Sequence, residues 1–502
     1  MEMLEKQKEY FYSMFSEEEK DILKYIPTVS ELMEFLLLHY AERPAVSDGN
    51  ISYTYREFYE RVAVRRGCLN TLGLKQGDRI AVFAPNTIDA MELYLAIVTS
   101  GYVSLMLPAS LDENTLAILC KKFKVSCLFY DDSLADITRK TEVKKFSSKY
   151  CYSQPINAAG VTKDTVCSIC LTGGTTGVPK GAVMTHGAIM RGAFNGCFTP
   201  GDVLYQRYIA ILPFSHIFGL VRGFLSCLYT GSLVFDCRDV KAAFTRIPVL
   251  KPTALVIVPE MAEIIIGLTK LKGQGFSSSL KMLTIGAAPV PPRLMKEIDS
   301  LGIGVVAGYG LTEGANLSSG NKEVLKKPES MGMIYPEQQA KVVDGELRIK
   351  GDNLMLGYWE DEEETSAVFD KDGWLKTGDL VRFDEDGCIY ITGRIKNLIV
   401  LGNGENVSPE ELEKYFYKYD VVKDCLVKED TINGKPVIAV EILPLKAALG
   451  NKSDKEIEEL FKQITDEINS SLPSYKHISK TIIRKEDFKR TNAMKVSRNQ
   501  GA

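Results

Sequence analysis

The segment Leu171-Thr-Gly-Gly-Thr-Thr-Gly-Val-Pro-Lys-Gly181 carries the strongest structural signal in this chain, because it joins an apolar run to a loop rich in glycine and threonine. Glycine lets the backbone bend tightly and brings its N–H groups close to a ligand. Hydroxyl groups and a lysine add donors and positive charge, which together suit phosphate oxygens. The segment is not a Walker A loop, which requires Gly-Lys-Ser/Thr at its end, because here Pro179 precedes Lys180 and Gly181 follows it. We therefore predict a phosphate-binding loop of another kind.

Short apolar runs alternate with helical patterns on both sides of this loop. The buried-strand pattern Arg79–Ala84 precedes an apolar-faced helix at Asp89–Gly101, and residues 28–73 have helical patterns at both ends. Further strand-like runs are Val125–Tyr130, Leu233–Phe235, Ala254–Val258 and Lys281–Ile285. This alternation predicts an α/β fold, with a large N-terminal domain of mixed or largely parallel sheets flanked by helices.

The pattern changes after about residue 340. Short alternating strands there are separated by turns rich in glycine and aspartate, and a small α+β pattern begins at Arg394. Its predicted elements are helices at Pro409–Tyr419 and Asp454–Ser471 and strands around Asp424–Val427 and Val437–Leu443. We predict two domains, an N-terminal one over residues 1–393 and a small C-terminal one over residues 394–502.

Length and composition limit the possible function classes. A chain of 502 residues is too long for one core, and its 45% hydrophobic and 25% charged residues indicate a globular protein. The net charge of −4 and the absence of a basic tract argue against nucleic acid as a partner. No uncharged run has the length of a membrane span, the first ten residues lack the apolar core of a signal peptide, and eleven scattered cysteines suit a reducing compartment. We expect a cytoplasmic protein without an integral membrane segment.

Six further segments have the chemistry of a nucleotide site. They supply a histidine in an apolar bend, small residues after a buried strand, an aromatic ring beside a hydroxyl and a carboxylate, an acidic turn, and two cationic stretches. In chain order they are Ile211–Gly219, Gly286–Pro289, Gly308–Glu313, Trp374–Asp379, Gly393–Ile399 and Thr491–Arg498. Small residues let a flat ring approach, and a carboxylate after a turn suits ribose hydroxyls.

In this combination and order, the segments resemble those of the adenylate-forming superfamily, which contains acyl-CoA synthetases, firefly luciferase and the adenylation domains of peptide synthetases. The resemblance covers nearly the whole chain and is strongest to fatty-acyl and aryl-CoA ligases. It implies that the small C-terminal domain is a mobile lid. It also implies a two-step reaction, in which a carboxylic acid and ATP form acyl-AMP and pyrophosphate, and a thiol such as that of CoA then displaces AMP.

The same resemblance implies roles for individual residues. The phosphates of ATP are expected at Thr172, Gly174, Thr175, Thr176 and Lys180, and the adenine at Gly286, Ala287, Ala288 and Tyr309. Thr312 is expected near the α-phosphate, Glu313 at Mg²⁺, and Asp379 and Arg394 at the ribose. Lys495 is expected to bridge the acid and the α-phosphate, Lys396 to be the hinge of the lid, and His216 to border the acyl pocket.

The identity of the acid stays open between aliphatic and aromatic. Amino-acid-activating relatives have an aspartate early in the region after the histidine segment, whereas Leu220–Leu225 contains Arg222 and no acidic residue, which argues against an α-amino acid. If Arg222 faces the pocket, it favours an acid with a second anionic or polar end. The alternative is that Arg222 points away and serves packing or solvent contacts.

The thiol also has alternatives. No carrier domain follows the Lys495 segment, which favours free CoA over a separate carrier protein loaded by a stand-alone adenylation enzyme. A non-catalytic nucleotide-binding relative is a third hypothesis, against which the intact loop, Glu313, Asp379, Arg394 and Lys495 argue.

Overall fold

The structure is a computed structural model that describes residues 2–150, 153–172, 179–316, 318–401, 405–432, 435–489, 496 and 498. Its α-helices are α1 (Glu2–Tyr12), α2 (Glu17–Ile22), α3 (Val29–Tyr40), α4 (Tyr55–Asn70), α5 (Ile88–Thr99), α6 (Glu113–Lys122), α7 (His186–Asn195), α8 (Ser226–Tyr229), α9 (Val240–Leu250), α10 (Pro259–Lys272), α11 (Pro292–Ser300), α12 (Glu362–Val368), α13 (Pro409–Phe416), α14 (Lys446–Leu449) and α15 (Asp454–Ser470).

The strands of the first half of the chain are β1 (Pro44–Ser47), β2 (Ser52–Thr54), β3 (Arg79–Phe83), β4 (Val103–Leu107), β5 (Val125–Tyr130), β6 (Lys144–Ser147), β7 (Val166–Thr172), β8 (Lys180–Thr185), β9 (Arg207–Ile209), β10 (Leu233–Phe235) and β11 (Ala254–Ile257). Those of the second half are β12 (Met282–Ile285), β13 (Gly304–Tyr309), β14 (Ser319–Asn321), β15 (Met333–Ile334), β16 (Gln338–Val343), β17 (Glu346–Gly351), β18 (Gly357–Tyr358), β19 (Leu375–Phe383), β20 (Ile389–Arg394), β21 (Ile399–Val400), β22 (Asn406–Val407), β23 (Val422–Ile432), β24 (Lys435–Pro444) and β25 (Ile478–Ile483).

Two mixed sheets dominate the large domain. One has the strand order β18-β8-β7-β4-β3-β5-β6, with parallel pairing from β7 to β6 and antiparallel pairing at β8 and β18. The other has the order β11-β12-β13-β14-β15, in which β11 to β13 are parallel and the last two pairings are antiparallel. The predicted α/β class with mixed sheets is confirmed.

Local sequence explains why these elements form. Strand β3 is apolar and buried along most of its length, as expected for a strand covered on both faces. Helix α5 begins at the cap residue Thr87, whose hydroxyl accepts a hydrogen bond from the N–H of Ala90, and nearly all of its side chains are buried. The polar turn at 48–51 joins β1 to β2, between the predicted helical ends at α3 and α4.

An antiparallel sheet, β16-β17-β19-β20, leads to the end of the large domain. The large apolar core ends at Ile389, and a second apolar core begins at Ile399. The second core is formed by β23, β24 and β25 with α13 and α15, and it includes Phe416, Val440 and Phe461. The small α+β fold predicted for the C-terminal part is therefore confirmed. Within the described ranges, no helix combines the length and apolarity needed to cross a membrane.

Candidate active site

Three side chains predicted for the nucleotide meet at the ends of β13 and β20 and the middle of β19. The antiparallel register sets Asp379 of β19 opposite Arg394 of β20, and the Arg394 Nε donates to Asp379 Oδ1 at 2.5 Å. The hydroxyl of Tyr309, at the end of β13, donates to the other carboxylate oxygen at 2.6 Å. Asp379 is only 2% exposed, so these two donors hold a buried carboxylate in one orientation.

Burial and charge act together on this cluster. Burial and the neighbouring charge of Asp379 raise the pKa of Tyr309 well above its ordinary value, which keeps the phenol protonated as a donor. Burial alone would lower the pKa of Arg394, but the Asp379 carboxylate raises it above the usual range. The cluster is therefore a fixed ion pair with a neutral tyrosine beside it.

A second cluster joins the lysine of the phosphate loop to the predicted magnesium ligand. Strand β18 pairs with β8 so that Tyr358 lies beside Ala182, and the Lys180 Nζ lies 5.1 Å from the centre of the Tyr358 ring. The Tyr358 hydroxyl donates to Glu313 Oε1 at 2.7 Å, and Lys180 forms an ion pair of 2.6 Å with Glu364. Burial and the Glu313 charge raise the pKa of Tyr358, so it also stays a donor.

The Gly286–Ala288 turn follows β12 and is closely packed from one side. A Cβ at position 286 would lie 2.9 Å from the ring Cζ of Phe218, so a side chain there would displace this ring. Ala287 has a φ of 68°, an uncommon conformation for a residue with a side chain. Phe218 begins a short π-helical stretch, Phe218–Leu225, and His216 lies half-buried two residues before it. The structure thus brings the predicted acyl segment against the predicted adenine turn.

Lys396 lies in the 3-10 turn Ile395–Asn397, in the segment of chain that joins the large apolar core to the C-terminal one. Loss of solvent around its ammonium group and the charge of Arg394 lower the pKa of Lys396, while Asp379 and Glu313 oppose this shift. Lys396 is therefore within electrostatic reach of both clusters. The next residue, Asn397, donates to Glu410 Oε1 of α13 at 2.5 Å, which ties this turn to the small domain.

The other predicted residues divide into two groups. Thr172 ends β7, is 8% exposed and pairs in register with Lys180, and Thr312 begins the short 3-10 turn that contains Glu313. The predicted residues Gly174, Thr175, Thr176 and Lys495 lie outside the described residues.

Tyr358 and Glu364 contact predicted site residues but were missed by the sequence analysis. Tyr358 is 45 positions from Glu313 in the chain, and only the pairing of β18 with β8 brings them together. The available signal was the aromatic pair Tyr358-Trp359 followed by an acidic run, a pattern with no single meaning before the sheets are known.

The donor chemistry fits one divalent cation bound together with a nucleotide. Within the described part of the chain, no group of three or more His, Cys, Asp or Glu side chains is placed to hold a metal ion alone. Mg²⁺ usually binds through one or two carboxylates together with substrate phosphates, and Glu313, linked to Lys180 through Tyr358, matches that arrangement.

Comparison with known proteins gives matches in both parts of the chain. The AMP-binding enzyme family matches residues 37–359, and the AMP-binding enzyme C-terminal domain matches residues 396–501. Similar relatives include an indoleacetate–CoA ligase of Aromatoleum aromaticum (29% identical, 76% of this chain and 79% of the relative) and a mitochondrial medium-chain acyl-CoA ligase, ACSF2, of Danio rerio (28% identical, 80% and 77%). The ATP-bound structure of MatB from Rhodopseudomonas palustris is similar in fold, with a TM-score of 0.81, 23% identity, and 94% of this chain and 98% of that chain covered.

Proposed function

Since the chain belongs to the AMP-binding enzyme family, we propose that it is an acid–CoA ligase that forms acyl-AMP from a carboxylic acid and ATP and then acyl-CoA. The observation that carries this proposal is the buried Tyr309–Asp379–Arg394 cluster beside the Gly286–Ala288 turn. It offers an oriented carboxylate for ribose hydroxyls and a closely packed turn for a flat base. The CoA ligases among its relatives support the same activity.

The reaction has two steps that need different help from the protein. In the first, a carboxylate oxygen attacks the α-phosphorus, the bond to the bridging oxygen breaks and pyrophosphate leaves. An anionic nucleophile approaches a polyanion in this step, so the site must supply positive charge. In the second, the CoA thiolate attacks the acyl carbon and AMP leaves with the bonding electron pair. Water must be excluded meanwhile, because acyl-AMP is a reactive mixed anhydride.

Asp379 takes the ribose hydroxyls in this proposal. Its carboxylate accepts hydrogen bonds from Arg394 and Tyr309, and the carboxylate oxygens have further lone pairs that can accept from the ribose hydroxyls. Tyr309 and the small residues Ala287 and Ala288 frame the adenine. Because two hydrogen bonds orient the Asp379 carboxylate, it has little side-chain freedom to lose when it binds the ribose.

The phosphate side is formed by Thr172, Lys180 and Glu313, with Gly174, Thr175 and Thr176 of the loop and Thr312 near the α-phosphate. Lys180 supplies a positive charge that the ion pair with Glu364 holds near the loop. Glu313, oriented by Tyr358, would hold Mg²⁺, which neutralises phosphate charge when it is bound.

The small domain is the lid in this proposal. Lys495 presents its charge between the acid and the α-phosphate in the first step, and rotation about Lys396 brings the thiol in the second. The separate apolar cores that end at Ile389 and begin at Ile399 support a domain boundary next to 393/394, with Arg394 ending the last strand of the large domain.

The acid side includes His216 and the segment that follows it. Relatives that act on indoleacetate and on medium-chain acyl groups leave both aromatic and aliphatic acids as candidates, and fatty acid metabolism is one setting for the enzyme. We also propose a cytoplasmic location, supported by ten described cysteines that are all unpaired and buried.

A panel of carboxylic acids tests the function. We expect acid-dependent exchange of labelled pyrophosphate into ATP, and acyl-CoA, AMP and pyrophosphate when CoA is added. If no acid of the panel supports exchange, a non-catalytic relative is favoured. Exchange followed by transfer to a carrier protein but not to CoA would favour the stand-alone adenylation enzyme.

A further inference from the structure

Arg222 is a buried cation whose side-chain partners are neutral. It lies in the π-helical stretch Phe218–Leu225 and is 4% exposed. Its Nη2 donates to Thr199 Oγ1 and to Thr284 Oγ1, each at 3.0 Å. Among the residues that the structure describes, no Asp or Glu forms an ion pair with Arg222. An arginine stays charged at any physiological pH, so this site holds an uncompensated positive charge.

Other buried arginines of the large domain show the usual arrangement. Arg191 forms a bidentate pair with Asp352 at 2.8–3.0 Å, and Arg65 pairs with Glu92 at 2.9 Å. Among the described residues, Arg66 also has no carboxylate partner, but its Nε donates to the carbonyl oxygen of Ile156, which is not one of the predicted site residues. Burial of an arginine without a carboxylate partner is therefore not enough to indicate a ligand. Arg222 differs from Arg66 in its position relative to the candidate active site.

The position of Arg222 links it to the acid side of the active site. Its partner Thr284 is in β12, two residues before Gly286 of the adenine turn. Phe218, whose ring lies against Gly286, is about one helical turn before Arg222. The guanidinium group thus lies between the segment predicted to border the acyl pocket and the strand that ends at the nucleotide.

The backbone just before Asn316 approaches the same face of α7. The stem of Arg222 lies against Gly196, where an added Cβ would be 2.8 Å from its Cδ. At Gly192, one turn earlier, an added Cβ would be 2.3 Å from the carbonyl oxygen of Ala315 and 3.0 Å from Val221 Cγ1. The next residue, Asn316, is buried, and its Nδ2 has no hydrogen-bond partner within the described residues. Buried donors without acceptors are rare, and they suit a ligand that brings acceptors.

We propose that the acid substrate carries a second carboxylate, and that Arg222 binds this distal group while the first carboxylate reacts with ATP. The inference rests on the proposed function and specifies its substrate class as dicarboxylic acids. Thr199 and Thr284 fix the orientation of the guanidinium group, and Asn316 adds a neutral donor. A second carboxylate supplies the missing negative charge and accepts the hydrogen bonds, whereas a methyl end would leave the cation buried and unpaired.

The test compares acids in matched pairs that differ only in the second carboxylate, both straight-chain and aromatic. Acid-dependent pyrophosphate release is measured for the wild type and for Arg222→Met, which keeps a long side chain but removes the charge. We expect the wild type to prefer the diacid of the best pair. We expect Arg222→Met to lower kcat/KM for that diacid about 10- to 100-fold, the size of a lost charge-assisted hydrogen-bonded pair, and to lose no activity on the matched monoacid.

Arg191→Met is the matched control, because it removes another buried arginine and is expected to change the rates for both acids of a pair by the same factor. If Arg222→Met does not fold, Arg222→Lys and Thr284→Val take its place, with a partial loss of diacid preference expected. The inference is overturned if the wild type releases pyrophosphate as fast with monoacids as with diacids. It is also overturned if the ratio of diacid to monoacid rates is unchanged in the Arg222 variants. Either result leaves the proposed function standing. If neither diacids nor monoacids support pyrophosphate release, both the inference and the proposed function are overturned.

Discussion

The two sides of the candidate active site are constructed differently. On the large-domain side, Asp379 and Arg394 face each other in neighbouring strands, and Tyr309 completes a hydrogen-bonded cluster around a buried carboxylate. On the small-domain side, Lys396 lies in one turn of 3-10 helix between two apolar cores. Sheet register gives the first side a fixed geometry, whereas a short turn between cores has few contacts to resist a rotation. We infer that the large domain serves both half-reactions and that the small domain changes its role between them.

The sharpest test of this contrast is Lys495→Ala. We expect acyl-AMP formation to fall by about 10² or more, because a preorganised cation is lost at the attacked phosphorus. Thioester formation from supplied acyl-AMP should be largely spared, since no charge then has to approach ATP. Single-turnover measurements of the two half-reactions check this.

Lys485→Ala is the control for Lys495→Ala, because Lys485 belongs to the same domain and its side chain is 82% exposed in a surface pair with Asp454. Neither half-reaction should change in that variant. Equal losses in both half-reactions of Lys495→Ala would contradict the role assigned to Lys495.

Removing the fixed carboxylate should affect both half-reactions. Asp379→Ala deletes charge-assisted hydrogen bonds to ribose, and we expect nucleotide affinity to fall by roughly 1.5–3 kcal/mol. Direct binding of ATP and of AMP measures the effect. Asp352→Ala is the matched control, since it also frees an arginine, Arg191, but should lower stability without changing nucleotide affinity. Unchanged ATP binding in folded Asp379→Ala protein would refute the ribose assignment.

The smallest expected effect concerns the hinge. Lys396→Pro fixes φ at this turn, so we expect normal release of pyrophosphate but slower transfer to CoA, by on the order of tenfold for each 1.4 kcal/mol added to the barrier. Rates of acyl-AMP and acyl-CoA formation in one time course check this. Lys371→Pro is the control, because it lies second in a surface turn closed by the Gly373 N–H to Asp370 carbonyl bond, where proline is favoured. Normal thioester formation in Lys396→Pro would place the hinge elsewhere.

Much of the architecture could be read from local patterns. Several predicted strands are apolar because they are buried, namely β3, β5, β10, β11 and β12. Strands that are buried on both faces need apolar residues, so their amino-acid composition alone predicts them. The separate C-terminal fold was visible from its alternating elements. The turn at Gly286 was visible for a similar reason, since tight backbone geometry restricts residue type locally. The prediction of a turn before Asp379 was wrong, because residues 375–383 form the continuous strand β19.

Sequence alone thus determined the α/β class, the family and a set of candidate site residues. Only the tertiary structure decided that Tyr358 reaches Glu313, that Asp379 lies opposite Arg394, and that Arg222 is buried among hydroxyl groups. The physical reason is that strand pairing and burial of one side chain depend on the packing free energy of segments far apart in the chain. Local propensity and periodicity report which element forms, but they carry no information about which distant partner it meets.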